Sequence, residues 1–160
     1  MQTLTFECII QAPLKDVWAF HDDPIANLAA LSPPGSEARI ESADVPVREG
    51  SRVIIVAKGP AGKETRWVAK IVEHRPPHAV VFGEEARFVD ELESGPFPYW
   101  RHEHDFEGID SKTTRMVDHV TYRVPFGPLG WIADIVCLRR QIKRMFAHRH
   151  RITAERLNAT

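Results

Sequence analysis

Between Gly95 and Gly127 the chain alternates residue by residue, and that period of two constrains the fold more than any other feature. Trp100, His102, His104 and Phe106 fall on one side of an extended segment, and Arg101, Glu103, Asp105 and Glu107 on the other. After a break at Gly108 to Lys112 the alternation resumes. It sorts Met116, Asp118, Val120, Tyr122 and Val124 from Arg115, Val117, His119, Thr121 and Arg123. A break this short makes the two runs an antiparallel hairpin. One face of it carries Trp, His, His, Phe, Met, Asp and Tyr inward. An apolar core has no need of two histidines and an aspartate, so this face forms either a polar floor to a cavity or a buried hydrogen-bond network.

The rest of the chain extends this sheet. Thr3 to Gln11 alternates, with Leu4, Phe6, Cys8 and Ile10 on one side, and reads as a half-buried first strand. Ala12-Pro13 ends it, since Pro has no amide hydrogen and suits the first turn of a helix. Leu14, Val17, Trp18 and His21 then recur at helical spacing, and Pro24 opens a second short helix through Ile25, Leu28 and Leu31. Ser32-Pro33-Pro34-Gly35 stops it. The period returns to two around Ile40, over Arg52 to Lys58, over Glu64 to Glu73 and over Ala79 to Leu92, with turn residues between the runs. With the hairpin this makes a meander of six strands, seven counting the first. From Leu129 to about Ala154 the pattern is helical again: Trp131, Ile135, Leu138, Ile142, Met145, Arg149 and Ile152 form a stripe widened by Ile132 and Phe146. Such a helix is about 39 Å long, enough to cross and cover a sheet.

Nothing interrupts this order, and 160 residues suit one domain spanning 1–160. A net charge of -1 gives no general pull toward nucleic acid or an anionic membrane. Cys8 and Cys137 lack metal-finger or redox spacing and read as buried small hydrophobes. No leader-like segment opens the chain and no 18-residue apolar run occurs, so a cytoplasmic protein without a membrane span is expected. No phosphate loop, nucleophile elbow or zinc-peptidase motif is present.

A strand, two short helices, six strands and a long last helix is the order of the α+β helix-grip fold, and the sequence resembles the SRPBCC superfamily, the START-like and polyketide cyclase/dehydrase group. The resemblance is carried by Ala12-Pro13 with Val17-Trp18-Ala19-Phe20-His21, by Leu31-Ser32-Pro33-Pro34, and by Trp67-Val68-Ala69-Lys70-Ile71. It continues through Gly95-Pro96-Phe97 with Trp100, His102, His104 and Phe106, and through Met116-Val117-Asp118 to Tyr122 and Pro125-Phe126-Gly127-Pro128-Leu129-Gly130. It is closest to bacterial ligand-binding domains of this group with no assigned role. It implies a curved seven-stranded antiparallel sheet wrapped around the terminal helix, with an apolar cavity between them. It implies no particular reaction, because the fold hosts carriers, sensors and cyclases.

The expected function is therefore binding of an apolar or aromatic small molecule by a monomer or homodimer. Trp67, Trp100, Phe106 and Met116 are the candidate apolar contacts, and His102, His104, Asp118 and Tyr122 the candidate polar ones. Phe82 and Phe88 also face inward by period. A second reading is a cyclase or dehydratase in which His102 or His104 with Asp118 supplies acid and base. His102 and His104 stand about 7 Å apart along the strand and could share a metal if Asp118 joined them. That set is looser than the usual metal motifs, and neither metal nor cofactor is expected from the sequence. His21 with Asp22-Asp23 reads as helix-end chemistry. A third reading is partner binding through the basic segment Arg139, Arg140, Lys143, Arg144, His148, Arg149, His150 and Arg151, which as a plain solvated helix face suits the negative end of the helix dipole.

Overall fold

A computed structural model describes residues 1–58, 62–78, 83–125, 127 and 137–158. The elements are β1 (Gln2–Ile10), α1 (Leu14–His21), α2 (Pro24–Leu31), β2 (Arg39–Ala43), β3 (Arg52–Lys58), β4 (Glu64–Arg75), β5 (Glu85–Ser94), β6 (Tyr99–Asp110), β7 (Thr113–Arg123) and α3 (Arg139–Leu157). The strands form one antiparallel sheet in the order β1-β7-β6-β5-β4-β3-β2, so the first strand closes against the last. This is the helix-grip arrangement expected from the sequence.

Local chemistry explains the helices. The Pro13 carbonyl accepts the amide hydrogens of Asp16 and Val17 to start α1. Asp23 caps α2, its carboxylate accepting the Ala26 amide hydrogen at 3.0 Å with Pro24 at the first position. Ser32 then turns extended and ends the helix.

Several boundaries differ from the periodic reading. β1 runs from Gln2 to Ile10 rather than Thr3 to Gln11, and β4 continues past Glu73 to Arg75. The strand expected over Ala79 to Leu92 begins at Glu85 and ends at Ser94, while residues 79–82, with Phe82, lie outside the described residues. The expected break at Gly108 is narrower, because β6 continues to Asp110 and absorbs the irregularity as a register shift between Gly108 and Asp110. The Gly108 amide donates to Glu84 O and its carbonyl accepts from Gly83, both at 2.9 Å, which keeps it in the sheet. Of the last helix, α3 is seen from Arg139 to Leu157; Trp131, Ile132 and Ile135 lie outside the described residues.

Two apolar clusters sit on the concave side. One joins α1 to the far ends of β6 and β7: Trp18 packs edge-on to Phe106 with ring centroids 5.9 Å apart, above Ile10 and Met116. The other lies under α3, where Phe146 stacks on Phe6 at 4.5 Å beside Trp100, Val120 and Tyr122. The convex face is ionic. Arg87 reaches Glu73, Glu103 and Asp105, Arg101 reaches Glu91 and Glu103, and Arg115 reaches Glu7 and Glu107. Alternation in β6 and β7 thus separates a charged outside from an aromatic inside.

Candidate functional site

Between the two apolar clusters runs a polar belt. The hairpin register sets His104 opposite Asp118 and His102 opposite Val120, so both imidazoles and the carboxylate meet on the concave face. Asp118 is 1% exposed, His102 3% and His104 2%. His102 Nε2 donates to Asp118 Oδ1 at 2.9 Å. His104 Nδ1 is equally close to that oxygen, 2.9 Å, without being aligned on it as a hydrogen bond. His150, from α3, closes the belt with Nε2 2.6 Å from Asp118 Oδ2. On the other side of the imidazoles stands Asp90 of β5, in register with His102.

Burial penalises charge on His102, His104, Asp118 and Asp90. It pushes His102 down to about 4, aided by the neighbouring charge of His104. It likewise holds His21, whose ring lies 6.2 Å from that of His104, well below the usual imidazole range. For Asp118 burial alone would raise the carboxyl, but the imidazoles of His102, His104 and His150 outweigh it and hold it well below the carboxylate range. Asp90 is lowered too, burial again being outweighed by His104 and His102. His104 is raised: burial opposes its cation, yet Asp118 and Asp90 flank it.

Above the belt, between β3 to β6, α2 and α3, lies a cavity of about 470 Å³. Its surface is mostly apolar, and Trp67, Trp100, His102 and His104 all line it. Trp67 meets Trp100 edge-on at 5.6 Å and Phe97 at 5.5 Å, forming an aromatic wall. Phe106 and Met116 pack in the cluster beneath α1 instead, while Asp118 and Tyr122 are buried behind the lining. Asp118 therefore reaches the cavity only through the histidines it touches.

Three residues that the sequence reading did not assign to the site join the belt, although His21 already stood in the helical stripe of α1. Asp90 lines the cavity, and its position two residues beyond the inward Phe88 was the signal for it. His150 is 9% exposed, so the solvated reading of the basic segment fails there: it continues the Ile142 and Phe146 stripe at a spacing of four. His21 faces the interior rather than capping a turn. Arg149 also turns in, lining the cavity with its guanidinium 5.5 Å from the Phe146 ring centroid, whereas Arg140, Lys143, Arg144 and Arg151 are exposed.

An antiparallel sheet gripping a terminal helix, with a half-open, mostly apolar cavity and a polar floor, defines a helix-grip domain of the START-like class. The chain belongs to the polyketide cyclase / dehydrase and lipid transport family, whose model matches residues 10–151. Solved structures share the fold at low identity. Protein Ms6760 from Mycobacterium smegmatis is 22% identical, with 98% of this chain and 91% of that chain covered and a TM-score of 0.68. A START superfamily protein from the same organism is 11% identical over 98% of this chain and 97% of its own, with a TM-score of 0.66. The di-domain ARO/CYC BexL of the BE-7585A biosynthetic pathway is 19% identical, covering 94% of this chain and 46% of that one, with a TM-score of 0.64. No curated protein sequence matches the chain. Among the described residues no helix is long and apolar enough to cross a membrane.

Proposed function

We propose that the protein binds an apolar or aromatic small molecule, lipid-like or polyketide-like, in the cavity between the sheet and α3. The observation that carries this reading is the cavity itself. Its volume of about 470 Å³ lies within the range of small-molecule sites, and its aromatic wall leads to a few polar groups at one end. Trp67, Trp100 and Phe97 supply dispersion contact, and His102, His104 and Arg149 orient the polar end of the ligand. Family membership supports the same class of ligand.

Native mass spectrometry of the purified protein, followed by extraction under denaturing conditions, tests the proposal. One apolar passenger per chain is expected, and Trp67→Ala should weaken its rebinding about tenfold. A clean apo mass, with no binding of hydrophobic dyes or aromatic polyketide-like compounds, would refute it. A cyclase or dehydratase activity in the same cavity is the second reading, favoured by the two imidazoles at its surface with a carboxylate behind them. It requires that the recovered molecule, incubated with fresh protein, be converted, and that His104→Gln abolish conversion while the molecule still binds.

A further inference from the structure

β5 and β6 bring three metal-ligating side chains together at the polar end of the cavity. Asp90 faces His102 across the strand pair and His104 follows two residues on, so all three point to the concave side. One donor atom from each lies within 4.8 Å of the other two. The ring atoms turned to Asp90 Oδ2 are His102 Nδ1 at 3.5 Å and His104 Nε2 at 3.4 Å. Those separations are long for a hydrogen bond. They match two ligands of one ion, since donors about 2.1 Å from a tetrahedral metal stand roughly 3.4 Å from each other.

The hydrogen-bond roles lead to the same place. A carboxylate only accepts, so His102 Nε2 carries the hydrogen it gives to Asp118. In the neutral ring Nδ1 is then a lone pair, and what it faces is the Asp90 carboxylate, a second acceptor. A metal ion seated between them would serve His102 Nδ1 and Asp90 Oδ2 at once, with His104 Nε2 as its third donor. Behind the rings, Asp118 Oδ1 stands 2.9 Å from both His102 Nε2 and His104 Nδ1, and its other oxygen is held by His150. A carboxylate placed against the far nitrogens is how ligating imidazoles are oriented and made more basic.

We infer that Asp90, His102 and His104 bind a divalent transition-metal ion of the zinc and iron(II) class, with Asp118, itself held by His150, positioning the two imidazoles from behind. The sequence pattern alone would have made Asp118 the third ligand; the fold puts it behind the rings and Asp90 in front. Two imidazoles and one carboxylate leave coordination positions open, unlike the four protein ligands of a structural zinc site. Because all three ligands line the cavity, those positions face its interior, where water or an oxygen of a bound molecule completes the shell. The metal site does not depend on the identity of the apolar ligand, whose binding is measured separately on metal-free protein.

Chelator-stripped protein titrated with Zn(II) and Mg(II) by calorimetry tests the inference. One Zn(II) per chain is expected, with a dissociation constant on the order of micromolar or tighter, and no Mg(II) binding, because imidazole donors do not suit that hard ion. Asp90→Asn and His102→Gln should weaken Zn(II) at least tenfold, and Asp118→Asn about 10–100-fold through the imidazoles it orients. A reading on the unmodified chain does not depend on any variant folding. In imidazole nitrogen spectra, His102 and His104 should shift on Zn(II) addition while His119 and His148 stay in place. Folded wild-type protein that takes up no stoichiometric Zn(II), or Zn(II) whose shifts map to His119 or His148, overturns the assignment. So does Zn(II) binding that Asp90→Asn leaves unchanged.

Discussion

Replacing Asp118 by Ala removes the acceptor on which the belt converges. Two aligned hydrogen bonds to the carboxylate are lost, from His102 to Oδ1 at 2.9 Å and from His150 to Oδ2 at 2.6 Å. Each such bond contributes about 1.5–3 kcal/mol, so roughly 3–6 kcal/mol is at stake. Relief of the carboxylate's own burial penalty offsets part of this, and breaking a buried pair from one side costs about 3–5 kcal/mol in comparable cases. For a chain of 160 residues, with an unfolding entropy of about 2.1 cal/mol/K per residue, that range lowers Tm by roughly 9–15 °C. The assay is urea unfolding in the presence of a chelator, so that no bound metal contributes. His150→Ala and the double variant complete a cycle, with an expected coupling of about 1–3 kcal/mol because His150 has nothing left to hold once Asp118 is gone. An Asp118→Ala protein within about 1 kcal/mol of wild type, or single effects that simply add, would refute the view that one carboxylate organises the belt.

Phe146→Ala should cost about 3–5 kcal/mol in urea unfolding, because a fully buried ring stacked on Phe6 is removed from the second cluster. It also takes away part of the cavity lining, so ligand affinity should fall with stability. Iodoacetamide at pH 8 should label Cys137 well before Cys8, as read by peptide mass spectrometry. Cys137 is exposed rather than buried as its sequence context suggested, whereas partial burial, with the charges of Asp118 and Glu7, pushes Cys8 up to about 12, leaving about one molecule in ten thousand as thiolate. Equal labelling rates would contradict this placement of Cys8. Arg87→Met leaves Glu73, Glu103 and Asp105 without their shared cation, and the expected loss of about 1 kcal/mol should shrink as salt is raised.

The hairpin was legible because one of its faces is buried and the other charged, which locks the phase of alternation along both strands. The only register shift between β6 and β7 falls at Gly108 to Asp110, beyond His102 and His104, so their direction survived it. Asp90 was hidden by its neighbours: in Asp90-Glu91-Leu92-Glu93 the composition is that of a solvated strand, and only the phase set by Phe88 turns the aspartate inward. His150 was hidden in the same way, inside His148-Arg149-His150-Arg151, although helical spacing from Phe146 places it on the inner stripe. The cavity followed from the family resemblance alone and could not be read from the residue pattern. Its existence depends on how far α3 stands from the sheet, which is a property of the packed elements together and of no local pattern.

The closing of β1 against β7 has a kinetic consequence. β2 to β7 pair with sequence neighbours across short turns, whereas the first strand must find a partner more than a hundred residues away, as in the Thr3 to Thr121 side-chain contact. Closing so long a loop is entropically costly before any contact rewards it, so the local meander forms early and the N-terminal strand docks late. The C-terminal helix shares that late step, since it packs on β1 through Phe6 and Phe146, and its end is tied to Gln11 by Asn158. His150 therefore reaches Asp118 only as the two ends of the chain come together. A nascent or clipped chain would hold the aromatic wall before it holds the finished floor, which makes the belt a marker of completed folding.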